Sequence, residues 1–188
     1  MHVSYGHVEH FRPKAGFKQH QQDDLQRPGY YWLAYKCENL LFSCELCNCR
    51  HKGNLFPLLN PAHRATTPES DINVEQPFFI DPASHEPTDF IRFVKHMPVS
   101  KHNNRRGRYT IDALGLRRQP LNEHREAYLS IIRELWVSTA LLKLQPRASK
   151  IESQILRNEV RLRSALHPSA EYSAMARDYL GNVGFPAS

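Results

Sequence analysis

Apolar side chains recur at helical spacing mainly in the last third of the chain. Tyr128, Ile131, Ile132, Leu135, Trp136, Thr139 and Leu142 form one such stripe, which predicts a long helix that Pro146 ends. Ser149-Lys150-Ile151-Glu152 reads as a capping box opening a second helix, which runs to about Leu166 with Ile151, Ile155, Val160 and Leu162 among many charges. Pro168-Ser169 predicts the restart of a third helix, closed near Gly181. This helical part is expected to be scaffold or a partner-docking surface.

The first third is patterned differently. Val8 and Phe11, with Val3 and Tyr5 before them, predict a strand that Pro13 ends. Asn39 opens an apolar run, Leu40-Leu41-Phe42, that suits a second strand. A short helix closed by Gly53 is expected after it. The middle is proline-rich, with a short strand and turn expected at Phe78-Phe79-Ile80-Asp81-Pro82. The basic run Lys101-His102-Asn103-Asn104-Arg105-Arg106-Gly107-Arg108 lacks apolar periodicity, so it reads either as a solvated loop or as added phosphate contacts. Three segments follow: 1–60, 61–120 and 121–188. The fold class expected is α+β.

Composition narrows the partners. A chain of 188 residues, 40% hydrophobic, can bury a real core as one domain or a small module with a subdomain. Lys and Arg total 25 against 19 Asp and Glu, and the net charge of +6 favours a polyanionic partner. No stretch approaches the length of a membrane span, and Met1-His2-Val3-Ser4 does not resemble a secretion signal. The four cysteines crowd into positions 37–49, too close together to staple the chain, so a cytoplasmic location and metal binding are expected rather than disulfides.

The candidate chemistry lies in two places. In His7-Val8-Glu9-His10-Phe11-Arg12-Pro13-Lys14, His10 offers a general base and Glu9 an anionic ligand for a hard divalent ion. A regular strand sends adjacent side chains to opposite faces, so their cooperation requires a bend at the strand end. In Cys44-Glu45-Leu46-Cys47-Asn48, the cysteine spacing lets two thiolates grip one Zn²⁺, and Asn48, Arg50 and Lys52 follow as a phosphate and cation site. A small zinc-stabilised turn with solvated charges is the plainer alternative.

Taken in order, Glu9-His10-Phe11-Arg12-Pro13-Lys14, Tyr30-Tyr31-Trp32, Asn39-Leu40, Cys44-Glu45-Leu46-Cys47-Asn48, Lys52-Gly53 and Phe56-Pro57-Leu58 resemble the HNH endonuclease family. The match is to the prokaryotic branch with nuclease subunits of Septu-type and some retron-associated anti-phage systems. Looser similarity through Ile80-Asp81-Pro82 and Tyr109–Leu116 extends it over about residues 1–130. The resemblance implies a ββα-metal finger backed by an irregular segment and a helical lobe. It implies a metal-dependent enzyme that cuts or nicks DNA, although charge alone does not separate DNA from RNA. His10 would be the general base, Asn39 would fix the loop between the strands, and Glu9 and Asn48 would hold Mg²⁺ or Mn²⁺. Arg12, Lys14, Arg50 and Lys52 would contact phosphates. An ATPase subunit of the same defence system is the implied partner, in a larger hetero-oligomer. Relatives usually carry two further cysteines upstream that complete a zinc site with Cys44 and Cys47. Here the chain opens inside the pattern, so a start assigned too late, loss of zinc, or donation by Cys37, Cys49, His51 or His2 is expected, in that order. The competing reading is a cysteine-knuckle module that binds nucleic acid or a partner without cutting.

Overall fold

The computed structural model describes residues 6–186. His2, Val3 and Tyr5, assigned above to zinc donation and to the first strand, lie outside the described residues. In order come β1 (Gly6–His10), β2 (Leu40–Cys44), a seven-residue helical turn (Leu46–Lys52), β3 (Ile91–Val94), β4 (Met97–Ser100), and helices α1 (Arg105–Ala113), α2 (Gln119–Lys143), α3 (Ser149–Leu166) and α4 (Ser173–Asn182). Strands pair only as β1–β2 and β3–β4 among the described residues, so the architecture is mixed and compatible with α+β. The chain divides into two compact units, one of residues 1–91 and 100–118, the other of residues 92–99 and 119–188. The expected segment 1–60 therefore shares a unit with most of segment 61–120, of which 92–99 and 119–120 fall in the other unit.

The first unit is built on the antiparallel pair β1–β2, with Gly6 opposite Cys44, Glu9 opposite Leu41 and His10 opposite Leu40. One further rung, Phe11 N–H to the Asn39 carbonyl at 2.9 Å, closes the ladder before Pro13, which has no N–H to offer. Phe11 then turns into a core with Phe17, Tyr30, Leu33, Leu55 and Phe56. Phe11 and Tyr30 meet the Phe56 ring edge-on at 5.4 and 5.5 Å between centroids. A buried carboxylate sits among them. Glu75 accepts from Tyr30 Oη at 2.7 Å, from Ala65 N–H at 2.9 Å and from Arg12 Nε at 2.8 Å. Three donors are what a buried carboxylate requires.

Two expectations for the middle segment change. Phe78–Pro82 is not a strand, although Phe79 and Ile80 are buried. Side chains of α1 take its backbone groups instead: Thr110 Oγ1 accepts from Ile80 N–H at 3.1 Å, and Arg106 Nη2 donates to the Phe79 carbonyl at 3.1 Å. Asp81 does make the expected turn, accepting from Ala83 N–H and Ser84 Oγ. The basic run is not a loop throughout. From Arg105 it is α1, capped by Asn104 Oδ1, which accepts from Gly107 N–H at 3.0 Å.

In the second unit, α2 buries Leu121, Arg125, Leu129, Ile132 and Thr139. It begins well before the predicted apolar stripe, with Pro120 in its first turn, where a missing N–H is harmless. The core joins Ile132 to Leu162 and Ala165 of α3, Ala176 and Leu180 of α4, and Phe185. The capping box does not form. Ser149 is already helical, Ala148 holds the cap position, and no side chain bonds the cap. The third helix starts at Ser173 rather than Ser169, because Tyr172 takes a left-handed conformation (φ 53°) just before it. On α2, Ile131, Val137 and Leu141 are exposed. No helix among the described residues is long and apolar enough to cross a membrane.

Candidate active site

β1 is regular to its end, so Glu9 and His10 point to opposite faces, as strand geometry dictates. Glu9 faces inward. Its carboxylate receives the ammonium of Lys52, which also donates to the His10 carbonyl at 2.9 Å. Both side chains are nearly out of water, 12% and 7% exposed. Burial pushes the Lys52 ammonium below its ordinary pKa, and the Glu9 charge pulls it back up. The pair borders a cavity of about 450 Å³ lined mainly by apolar groups, among them Leu41, Ile80 and Leu114.

The imidazole of His10 is held on its other side. Its Nε2 lies 3.0 Å from the Ala34 carbonyl oxygen, which can only accept. In the neutral ring Nε2 therefore carries the proton and Nδ1 keeps the lone pair. The loop that presents Ala34 is braced by Asn39. The buried Asn39 amide accepts from Arg12 N–H at 2.7 Å and donates to the Arg12 carbonyl at 3.0 Å and the Leu33 carbonyl at 3.2 Å. Asn39 thus ties the chain just after His10 to the residue just before Ala34.

The helical turn after β2 closes at Gly53, whose positive φ of 49° suits glycine. Asn48 sits half-buried in this turn, its carbonyl accepting from Gly53 N–H. Cys44 and Cys47 are close together, with Cys47 N–H donating to Cys44 Sγ at 3.4 Å. Over them lies the Arg118 guanidinium, at 3.5 Å from Cys47 Sγ and 3.8 Å from Cys44 Sγ. Burial and the bond with Cys44 push the Cys47 thiol up in pKa, against the pull of Arg118. Sequence reasoning missed Arg118 and Glu75, and neither lies in a spacing that would have flagged it.

Two of the expected phosphate contacts need correction. Lys52 is buried on Glu9, and Arg12 is spent on Glu75, the Ile72 carbonyl and the faces of Phe11 and Phe56. Each sits beside a buried acid, and a spare positive charge would not be stable there without it. Lys14 and Arg50 are exposed, as expected of surface cations.

The donor set does not fit the divalent ion implied for Glu9 and Asn48. Lys52 already neutralises Glu9, and no group of three or more His, Cys, Asp or Glu capable of holding a metal ion occurs among the described residues. The cysteine pair would supply two of the four donors that a structural zinc requires. Cys37 and Cys49 are exposed, and the Cys49 sulfur lies 3.9 Å from His7 Nδ1. Burial and the Arg118 charge lower the His51 pKa.

A two-stranded antiparallel sheet feeding a helical turn, with His10 braced at the end of its first strand, defines a small site of mixed α and β structure. No family model matches the chain, and no solved structure does. It is similar to the Septu protein PtuB of Bacillus mycoides (strain KBAB4), 36% identical over 124 residues, which is 65% of this chain and 42% of that protein. The PtuB-like character that the ordered motifs imply is thus borne out. The chain spans about two fifths of the length of the curated relative it matches.

Proposed function

We propose that this chain is a nuclease of a Septu-type anti-phage defence system, hydrolysing DNA phosphodiester bonds with His10 as the general base. Support comes from the similarity to PtuB, and from the order of Glu9-His10, Asn39 and Asn48 along two strands and a helical turn. The observation that carries the reading is the Ala34 carbonyl on His10 Nε2, which leaves Nδ1 as the basic nitrogen. Nδ1 takes a proton from water, the water oxygen bonds to phosphorus, and the bond to the 3′ oxygen breaks, its charge then taken up by a proton from solvent. Asn39 is a positioning residue: it holds the two segments between which the imidazole is aimed. An ATPase subunit of the same system gates cleavage, and Val137, Leu141 and Leu144, all exposed, line the face where it docks.

The test is cleavage of supercoiled plasmid, with and without Mg²⁺ or Mn²⁺ and with and without the ATPase, comparing the parent with His10→Ala and the positioning variant Asn39→Asp. Cutting by the parent that His10→Ala abolishes and Asn39→Asp weakens supports the reading; equal cutting by all three overturns it. The Glu9–Lys52 pair, which keeps that carboxylate from a metal, favours the second reading, a binding module. That module predicts retained DNA affinity and no cutting by any of the three, even with the ATPase.

A further inference from the structure

Beside the helical turn, on residues of the first unit, lies an open cleft of about 630 Å³. Arg50 and His51 border it from the turn, Arg105, Arg108 and Tyr109 from α1, and Phe78 from the segment before α1. Arg105 and Arg108 stand three residues apart on α1, so both reach the same side of the helix. Among the described residues, none of the three arginines has a carboxylate partner. Asp112, the carboxylate on this lining, lies 3.6 Å from Arg117. The cleft therefore concentrates unopposed positive charge.

Aromatic faces stand among these charges. The Arg105 guanidinium lies 5.7 Å from the centre of the Phe78 ring, which packs against Tyr109 at 5.3 Å. Burial pushes the Tyr109 phenol up to about 12, so its hydroxyl stays a donor at any working pH. A small phosphate ester calls for donors converging in a closed pocket. Here the cations come from two separate elements along an open cleft with ring faces among them. That is the layout of a track for a polyanion carrying stackable bases.

We propose that Arg50, Arg105 and Arg108 form the track that grips the sugar-phosphate backbone of a nucleic-acid strand, with Phe78 and Tyr109 offering faces to its bases. The proposal rests on nucleic acid being this chain's substrate, and it adds α1 to the binding surface. Each phosphate neutralised by an arginine releases condensed counterions, so binding through the track weakens with salt in proportion to the contacts made.

The experiment measures fluorescence anisotropy of a labelled single-stranded oligonucleotide, and of its duplex, on the full chain carrying His10→Ala, so that the probe is not consumed. Replacing all three arginines by Gln is expected to weaken binding about tenfold or more, and to flatten the slope of log K against log salt by about 2 on the single strand. Replacing all three by Lys keeps the charge and is expected to keep the slope, which separates lost contacts from lost folding. A control triple, Arg133→Gln, Arg147→Gln and Arg161→Gln, all exposed in the second unit, is expected to leave the slope as in the parent. A parental slope in the Arg50/Arg105/Arg108 triple overturns the track alone. Equal flattening in the control triple overturns it in favour of bulk charge. If the parent binds neither oligonucleotide, the track and the nuclease reading fall together.

Discussion

Lys52 donates to Glu9 and to the carbonyl of His10, the residue next to Glu9, so one buried ammonium clasps two consecutive positions at the end of β1. Removing one member of such a pair strands the other charge away from water. Lys52→Met is expected to cost about 3–5 kcal/mol in urea unfolding. The double variant Glu9→Leu with Lys52→Met recovers most of that loss, since neither charge remains to be buried. A double variant no more stable than Lys52→Met would show that the pair is not the source of the cost.

Asn39 makes three hydrogen bonds to backbone, to Arg12 N–H, to the Arg12 carbonyl and to the Leu33 carbonyl, which also accepts from Lys36 N–H. Asn39→Ala takes this partner from both Arg12 groups and is expected to cost about 2–4 kcal/mol. Asn39→Asp keeps the acceptor for Arg12 N–H but loses both donations. In that variant the His10 ring, followed by NMR of its nitrogens, is expected to lose its single Nε2–H tautomer as the loop holding Ala34 loosens. An unchanged tautomer argues that Asn39 supports the fold without positioning the base.

Alkaline stability follows from two tyrosines. Burial raises Tyr109 from 10.0 to about 12, and burial together with the Glu75 carboxylate raises Tyr30 as well. Between the unfolded and folded values the native state binds more protons, so stability falls as pH rises. The contribution is complete below about pH 10 and is lost as pH climbs from there through about 12 for Tyr109. Tyr109→Phe is expected to flatten this alkaline decline in urea midpoints. Identical pH profiles for parent and variant would refute the assignment.

Two helical glycines are expected to respond with opposite signs. A Cβ at Gly107 would lie 2.3 Å from the Phe90 carbonyl oxygen, backbone that cannot easily yield, whereas at Gly181 it meets nothing within 4 Å. Gly107→Ala should therefore destabilise by about 1–3 kcal/mol despite the better helix propensity of alanine. Gly181→Ala should gain about 0.5–1 kcal/mol. Thermal melts of both variants decide the matter, and a stabilised Gly107→Ala would contradict the close approach.

Local signals were legible where a single residue imposes a backbone rule. Pro13 ended the first strand, Asn39 opened the second, Gly53 closed the helical turn, and Asp81 made its turn. What escaped depends on partners distant in the chain. Lys52 and Arg12 look like surface cations until Glu9 and Glu75 are folded against them, 43 and 63 positions away. The hairpin of β3 and β4 has too short an alternation to stand out, and α1 hid behind the polarity of its own arginines. Ser149-x-x-Glu152 had the letters of a capping box but fell one residue late, inside the helix it was meant to open.

The grip on His10 Nε2 comes from a peptide oxygen, which every residue type supplies. Replacing the Ala34 side chain cannot delete that oxygen; only a shift in the path of the loop can. The neighbouring Tyr35, 95% exposed, is therefore free to vary without disturbing the ring. The aim of the imidazole is written in the course of the main chain, and the amide of Asn39, rather than any side chain beside the ring, is its keeper.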